Sequence, residues 1–168
     1  MIIQVIGAFV AVITGATLLS IPRKFLLLAG SISAISWFVY LVCWNSGFGV
    51  ALSTLTATLV IAFISHVLAR TLKAPVTIFL IPGILPLVPG INTYRITYYL
   101  IQEDGAKASQ YFNLTLQVAG MIAIGIFIMD TVFRIMNTII NNRQQSRLNK
   151  NEKRETLKKK VKRTKRRT

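Results

Sequence analysis

The sequence predicts an all-α integral membrane protein of about five spans, the fourth of them discontinuous, with its amino end outside and its carboxy end inside. Three observations carry this. Of 168 residues, 53% are hydrophobic and mean hydropathy is +0.56, with the apolar residues gathered into long charge-poor runs. One run is interrupted by three prolines and two glycines within the ten residues of "IPGILPLVPG", Ile81 to Gly90. The basic residues collect at alternate ends of the runs and in the tail.

About 20 residues of helix cross a bilayer core, and residues 1–21, 25–44, 50–69 and 111–136 each supply such a stretch. The first lacks a charged segment ahead of its apolar run and has Arg23 and Lys24 after it, so it reads as a retained helix rather than a cleaved leader. Lys and Arg mark the cytoplasmic side of short loops. Arg23–Lys24 follow the first span, Arg70 and Lys73 the third, and the basic tail the last, whereas Asn45–Gly49 carries no charge. Putting all three clusters inside requires an odd number of crossings. Residues 74–101 must therefore cross too, as two half-helices of about ten residues, each rising about 15 Å. A re-entrant loop would instead leave the tail outside.

The break has chemical consequences. Proline lacks an N–H and clashes with the carbonyl four residues back, so Pro86 is expected to free the carbonyl of Pro82, and Pro89 that of Leu85. Gly83 and Gly90 permit turns closed to other residues. Uncovered backbone at membrane depth survives only inside protein or beside a wet cavity. Asn92 or Thr93 is expected to cap the next helix, whose amino end carries partial positive charge. Arg95 adds a full cation in that first turn, an arrangement that favours an arriving anion such as a substrate carboxylate. Tyr94, Tyr98 and Tyr99 are candidate hydroxyl donors. The competing reading makes the break a ligand-free kink, with Arg95 snorkelling to an interface among an aromatic belt.

The segment "PLVPGINTYRITYYLIQED", Pro86 to Asp104, resembles the threonine/serine exporter family, in particular its short, YjjB-like subunit. The likeness covers roughly residues 1–136 and is concentrated in "PLVPG", the tyrosine that follows and the acidic–glycine pair Asp104–Gly105. It implies one half of a two-component secondary exporter in the plasma membrane, working with a longer polytopic subunit. The cargo it implies is threonine and serine, or dicarboxylates such as succinate. Pro86, Pro89, Gly90 and Tyr94 match its motif; Arg95 is proposed from its physics, with Asn92, Pro82 and Gly83 completing the candidate substrate-binding set. The long basic tail departs from the short ending of that subunit.

Thr54, Thr58, Ala62, His66 and Arg70 recur every fourth residue and share a helix face. His66 is a candidate proton relay, since the unperturbed imidazole titrates near physiological pH; otherwise it is a histidine satisfied by a hydrogen bond. A coupling proton or sodium ion is the one small-ion requirement expected; no cofactor and no metal set is read. Asp130 and Arg134, four apart, suit an ion pair. Thirteen Lys and Arg lie between Arg143 and Thr168 against two acids, a net +11, while the other seven face three acids, a net +4. Residues 137–168 therefore read as a disordered cytoplasmic tail, drawn to anionic lipid rather than to nucleic acid, for it carries no aromatic reading element. Paired carboxylates, a phosphate-binding glycine loop and a nucleophile–base pair are all missing, which excludes a familiar enzyme. The alternative function is a non-transport membrane scaffold or regulatory subunit that docks through its tail.

Overall fold

The computed structural model describes residues 2–164, with side chains described for 2–143 and 145. Six α-helices follow in order: α1 (Ile2–Leu18), α2 (Arg23–Asn45), α3 (Val50–Leu72), α4 (Thr77–Ile84), α5 (Gly90–Ile101) and α6 (Gly105–Thr164). A 3₁₀ turn, Leu85–Leu87, joins α4 to the break. No strand occurs among the described residues, in keeping with the all-α class. Three helices are long and apolar enough to cross a bilayer, namely α2, α3 and the Gly105–Arg143 part of α6. The pair Thr77–Leu87 and Gly90–Ile101, bent by 46°, makes a fourth if taken together, and α1 is a shorter apolar helix of 17 residues.

The chain divides into two compact units, Met1–Asp130 and Thr131–Thr168. In the first, Phe25 and Ile32 of α2, Ala57, Ile61 and Ala69 of α3, and Phe79 of α4 bury a common core with Leu87. Phe25 meets Phe79 edge-to-face, with ring centroids 5.3 Å apart. Gly83 lets α4 come close: a Cβ there would lie 2.7 Å from Cγ2 of Ile61 and 3.0 Å from Cγ2 of Ile32. Gly125 does the same for α6, where a Cβ would stand 2.9 Å from Cγ2 of Thr58. Small residues at crossings are how helices pack in lipid, where burial against a neighbour brings no hydrophobic gain over the acyl chains. Thr54 and Thr58 satisfy their hydroxyls within α3, donating to the carbonyls of Val50 and Thr54 at 2.8 Å each.

Three expectations are corrected. The carbonyls expected to be freed by proline are not left open. The chain tightens into 3₁₀ geometry, so the Leu85 N–H reaches the carbonyl of Pro82, and the Val88 N–H reaches that of Leu85 at 3.3 Å. The cap is neither Asn92 nor Thr93. Pro89, with its ring-fixed φ, takes that place and α5 begins at Gly90; Thr93 is already inside the first turn, its hydroxyl donating back to the Pro89 carbonyl at 3.0 Å. Finally, the tail expected to lack regular structure continues α6 through Thr164. After Gly125 the sequence holds neither proline nor glycine and is rich in Lys, Arg, Gln and Glu, so nothing stops the helix. The side chains from Ser146 onward, and with them the expected lipid contacts of the tail, lie outside the described residues.

Candidate functional site

The break folds around a cavity of about 380 Å³. Pro86, Pro89, Asn92 and Arg95 line one side, and Trp37, Tyr40 and Thr54 line the other. Asn92 and Arg95 are three apart, and so fall on one face of α5. Of the candidate substrate-binding residues, the fold thus brings together Pro86, Pro89, Asn92 and Arg95. Pro82 and Gly83 are buried in the α4 packing instead, and Gly90 stands in open space. Tyr94, 68% exposed, is turned about a quarter of a circle from Arg95 on the helix and stacks with Tyr98 at 6.2 Å. The Tyr98 hydroxyl accepts a hydrogen bond from the side-chain amide of Gln102 at 3.0 Å.

Among the described residues the Arg95 guanidinium meets no carboxylate. Its partner is Tyr111, near the start of α6: Nη1 donates to the phenolic oxygen at 3.2 Å, and the guanidinium carbon stands 5.2 Å from the ring centroid. Tyr111 in turn stacks on Tyr99, with centroids 5.5 Å apart and planes 4° apart. The Lys107 ammonium sits 5.2 Å over the Tyr99 ring and pairs with Asp104 at 2.8 Å. Asp104 precedes α6 and accepts the N–H of Lys107 at 3.1 Å, a helix cap that fixes the turn between α5 and α6. Hydrogen bonds from the Lys107 side chain, and then from its backbone, hold the partly exposed Asp104 carboxyl below its ordinary range. A rigid stack therefore runs from this turn to the guanidinium and fixes where its charge points.

The opposite wall is built on α2. Trp37 and Tyr40, three residues apart, stack at 5.2 Å, and Tyr40 stacks onward to Trp44 at 6.4 Å. Among the described residues the Asn92 amide and the Tyr40 hydroxyl have no hydrogen-bond partner, so both remain available to a ligand. The opening turn of α5 adds amide N–H groups without carbonyls of their own helix. A cation, an amide, a phenol and two aromatic faces around one cavity suit a small zwitterion or carboxylate. Trp37, Tyr40 and Tyr111 were not singled out by the sequence; the signal was there for the first two, as an aromatic series at helical spacing.

His66 lies elsewhere. Twelve residues beyond Thr54 on α3, it is roughly 18 Å further along the helix. Its Nε2 stands 3.7 Å from a carboxylate oxygen of Asp130 on α6. No group of three or more metal-ligating side chains occurs among the described residues.

Residues 4–132, that is 129 of the 168, match the family described as threonine/serine exporter, ThrE. No curated protein and no solved structure matches the chain.

Proposed function

The chain belongs to the threonine/serine exporter family, and from that premise we propose that the cavity at the break is where the exported metabolite is held. The family is one of membrane transporters, and the apolar helices suit that role, which favours transport over the scaffold reading. The observation that carries the proposal is a guanidinium lining the cavity with no acid among the described residues to neutralise it. A permanent cation at membrane depth is costly unless it is paired, and a substrate carboxylate is the partner that fits.

In this mechanism the carboxylate takes the Arg95 guanidinium and the Asn92 amide, assisted by the first-turn amides of α5. The ammonium of an amino acid rests over the electron-rich faces of Trp37 and Tyr40, where a cation–π contact replaces the absent acid. The Tyr40 hydroxyl is placed for the side-chain hydroxyl of threonine or serine. A dicarboxylate such as succinate is the second substrate class, held through one carboxylate. His66 with Asp130 forms the site for a coupling proton, sodium being the alternative ion. The bend of 46° supports the crossing reading, because a hairpin returning to the same face needs close to a reversal of direction. With the broken pair and α1 counted as spans, five crossings suit a tail in the cytoplasm of a plasma-membrane protein, beside anionic lipid. So few spans imply assembly with a longer polytopic subunit.

The test is efflux of labelled threonine, serine and succinate from the host cell, with its own copy of the gene intact, deleted or replaced by the Arg95→Ala form. Loss of one class of efflux on deletion, matched by Arg95→Ala at normal membrane abundance, is the expected result. Full efflux with Arg95→Ala removes the cavity from the mechanism.

A further inference from the structure

A further cavity flanks the break among the described residues. Beyond the Arg95 cavity lies a second of about 340 Å³ against α1, lined by Gln4, Gly7, Ala8, Ala11 and Val12 together with Leu85. It exists because α1 presents glycine and alanine where larger side chains would fill the space. Trp37 and Pro86 line both cavities. Pro86 is part of the backbone break itself, so the removable portion of the shared wall is the Trp37 indole. That indole is held in place by its stack on Tyr40, at 5.2 Å with planes 21° apart.

The two spaces differ in chemistry. The first has a cation, an amide and a phenol; the second has no charge and, apart from Gln4, only apolar groups. A molecule anchored by its carboxylate at Arg95 and extending past Trp37 would enter apolar surroundings suited to an aliphatic or aromatic side chain. With the indole in place, a side chain extending toward α1 meets the ring before it reaches the second cavity. We propose that Trp37 is the specificity-determining residue of the transporter: its indole closes the carboxylate site against an apolar subsite on α1, and so restricts the cargo to short polar amino acids. The proposal rests on the reading of the Arg95 cavity as the substrate site.

The experiment uses full-length protein in its native host, so that any partner subunit is present, and compares efflux of labelled threonine and leucine. Trp37→Ala is expected to lower threonine efflux, because the seat for the substrate ammonium goes with the indole, and to raise the leucine-to-threonine ratio about ten- to a hundredfold, the usual scale for added aliphatic contact in a pocket. Ala11→Phe refills the second cavity: alone it leaves threonine efflux unchanged, and combined with Trp37→Ala it returns the ratio to its original value. An unchanged ratio in Trp37→Ala, at whatever threonine efflux remains measurable, overturns the proposal. Should Trp37→Ala fail to accumulate in the membrane, Trp37→Leu replaces it. Ala11→Phe alone then still decides, since loss of threonine efflux would mean that threonine itself occupies the α1 cavity. Arg95→Ala run alongside separates the two readings. A shifted ratio in Trp37→Ala with efflux insensitive to Arg95→Ala keeps the partition and removes the charge. Efflux lost with Arg95→Ala and a ratio unmoved by Trp37→Ala keeps the charge and removes the partition.

Discussion

The two halves of the broken pair differ more than their shared apolar character suggests. α4 buries Phe79, Pro82 and Gly83 against α2 and α3, with Phe79 wholly out of reach of solvent. α5, longer by about one turn, buries none of its residues. Before the break the chain is anchored; after it, the chain presents Asn92, Arg95 and a run of tyrosines along partly open faces. The break thus separates a half that fixes the backbone from a half that carries chemistry. Nothing in α5 has to be apolar for the core to form, which leaves its side chains free to serve a ligand.

The comparison is broken most sharply at Arg95. If α5 is the chemical half, Arg95→Ala raises the concentration of threonine needed for half-maximal efflux by about tenfold to a hundredfold, the scale of a lost charged hydrogen bond. Arg95→Lys recovers part of this, because the charge survives and the two-pronged geometry does not. Thermal unfolding in detergent should barely move in either form, since α5 contributes no buried residue.

The glycines on either side of the break sharpen it further. A methyl group at Gly83 meets the branched side chains of Ile61 and Ile32, which are stiff at their first torsion and cannot swing away. Gly83→Ala is therefore expected to destabilise the fold by about 1–3 kcal/mol through overpacking. At Gly90 nothing lies within 4 Å of the added carbon. Gly90→Ala should leave the unfolding midpoint unchanged or raise it slightly, alanine being the better helix former. Equal losses at the two sites would erase the distinction between the halves.

These residues also show where the sequence is legible. The place of the break follows from Pro82, Pro86 and Pro89, because proline acts through its own ring and needs no neighbour. The role of Gly83 does not: whether a glycine makes a turn or admits another helix depends on Ile32 and Ile61, which arrive from elsewhere in the chain. The cap failed for a local reason, since Pro89 opens the helix before Asn92 is reached. The freed carbonyls failed because a chain can shorten its hydrogen-bond reach by one residue at little cost. Arg95 was found as an unmatched charge, but its holder Tyr111 was hidden by the turn between α5 and α6, which only the fold brings back on itself. Trp37 was legible only as part of an aromatic series at helical spacing; that it faces a cavity depends on the break and α5, which the fold brings to it.

Tyr111 tests whether α5 works alone. If its hydroxyl aims the guanidinium, Tyr111→Phe keeps the ring stack and loses only the hydrogen bond, so half-saturation for threonine rises about threefold to tenfold with the maximal rate unchanged. Tyr111→Ala removes the ring as well and should cost more. A fall in maximal rate with unaltered half-saturation would assign Tyr111 to the moving parts rather than to the site.

The smallest effect belongs to the turn that carries this stack. The Asp104 carboxyl titrates below its ordinary range in the folded protein, because Lys107 hydrogen-bonds its charged form. A carboxyl lowered on folding contributes stability that is complete above its unfolded value and is lost as pH falls through the folded one. At neutral pH the Asp104 carboxyl does not titrate, so it adds no slope to the unfolding midpoint there. On acidification through and below the ordinary carboxylate range, the native midpoint should decline slightly. Asp104→Asn keeps an acceptor for the Lys107 N–H but has no charge to lose, so its midpoint should lie a little below the native one at neutral pH and meet it in acid. Parallel curves across that range would detach Asp104 from the stack, and would leave Arg95 held by the aromatic rings alone.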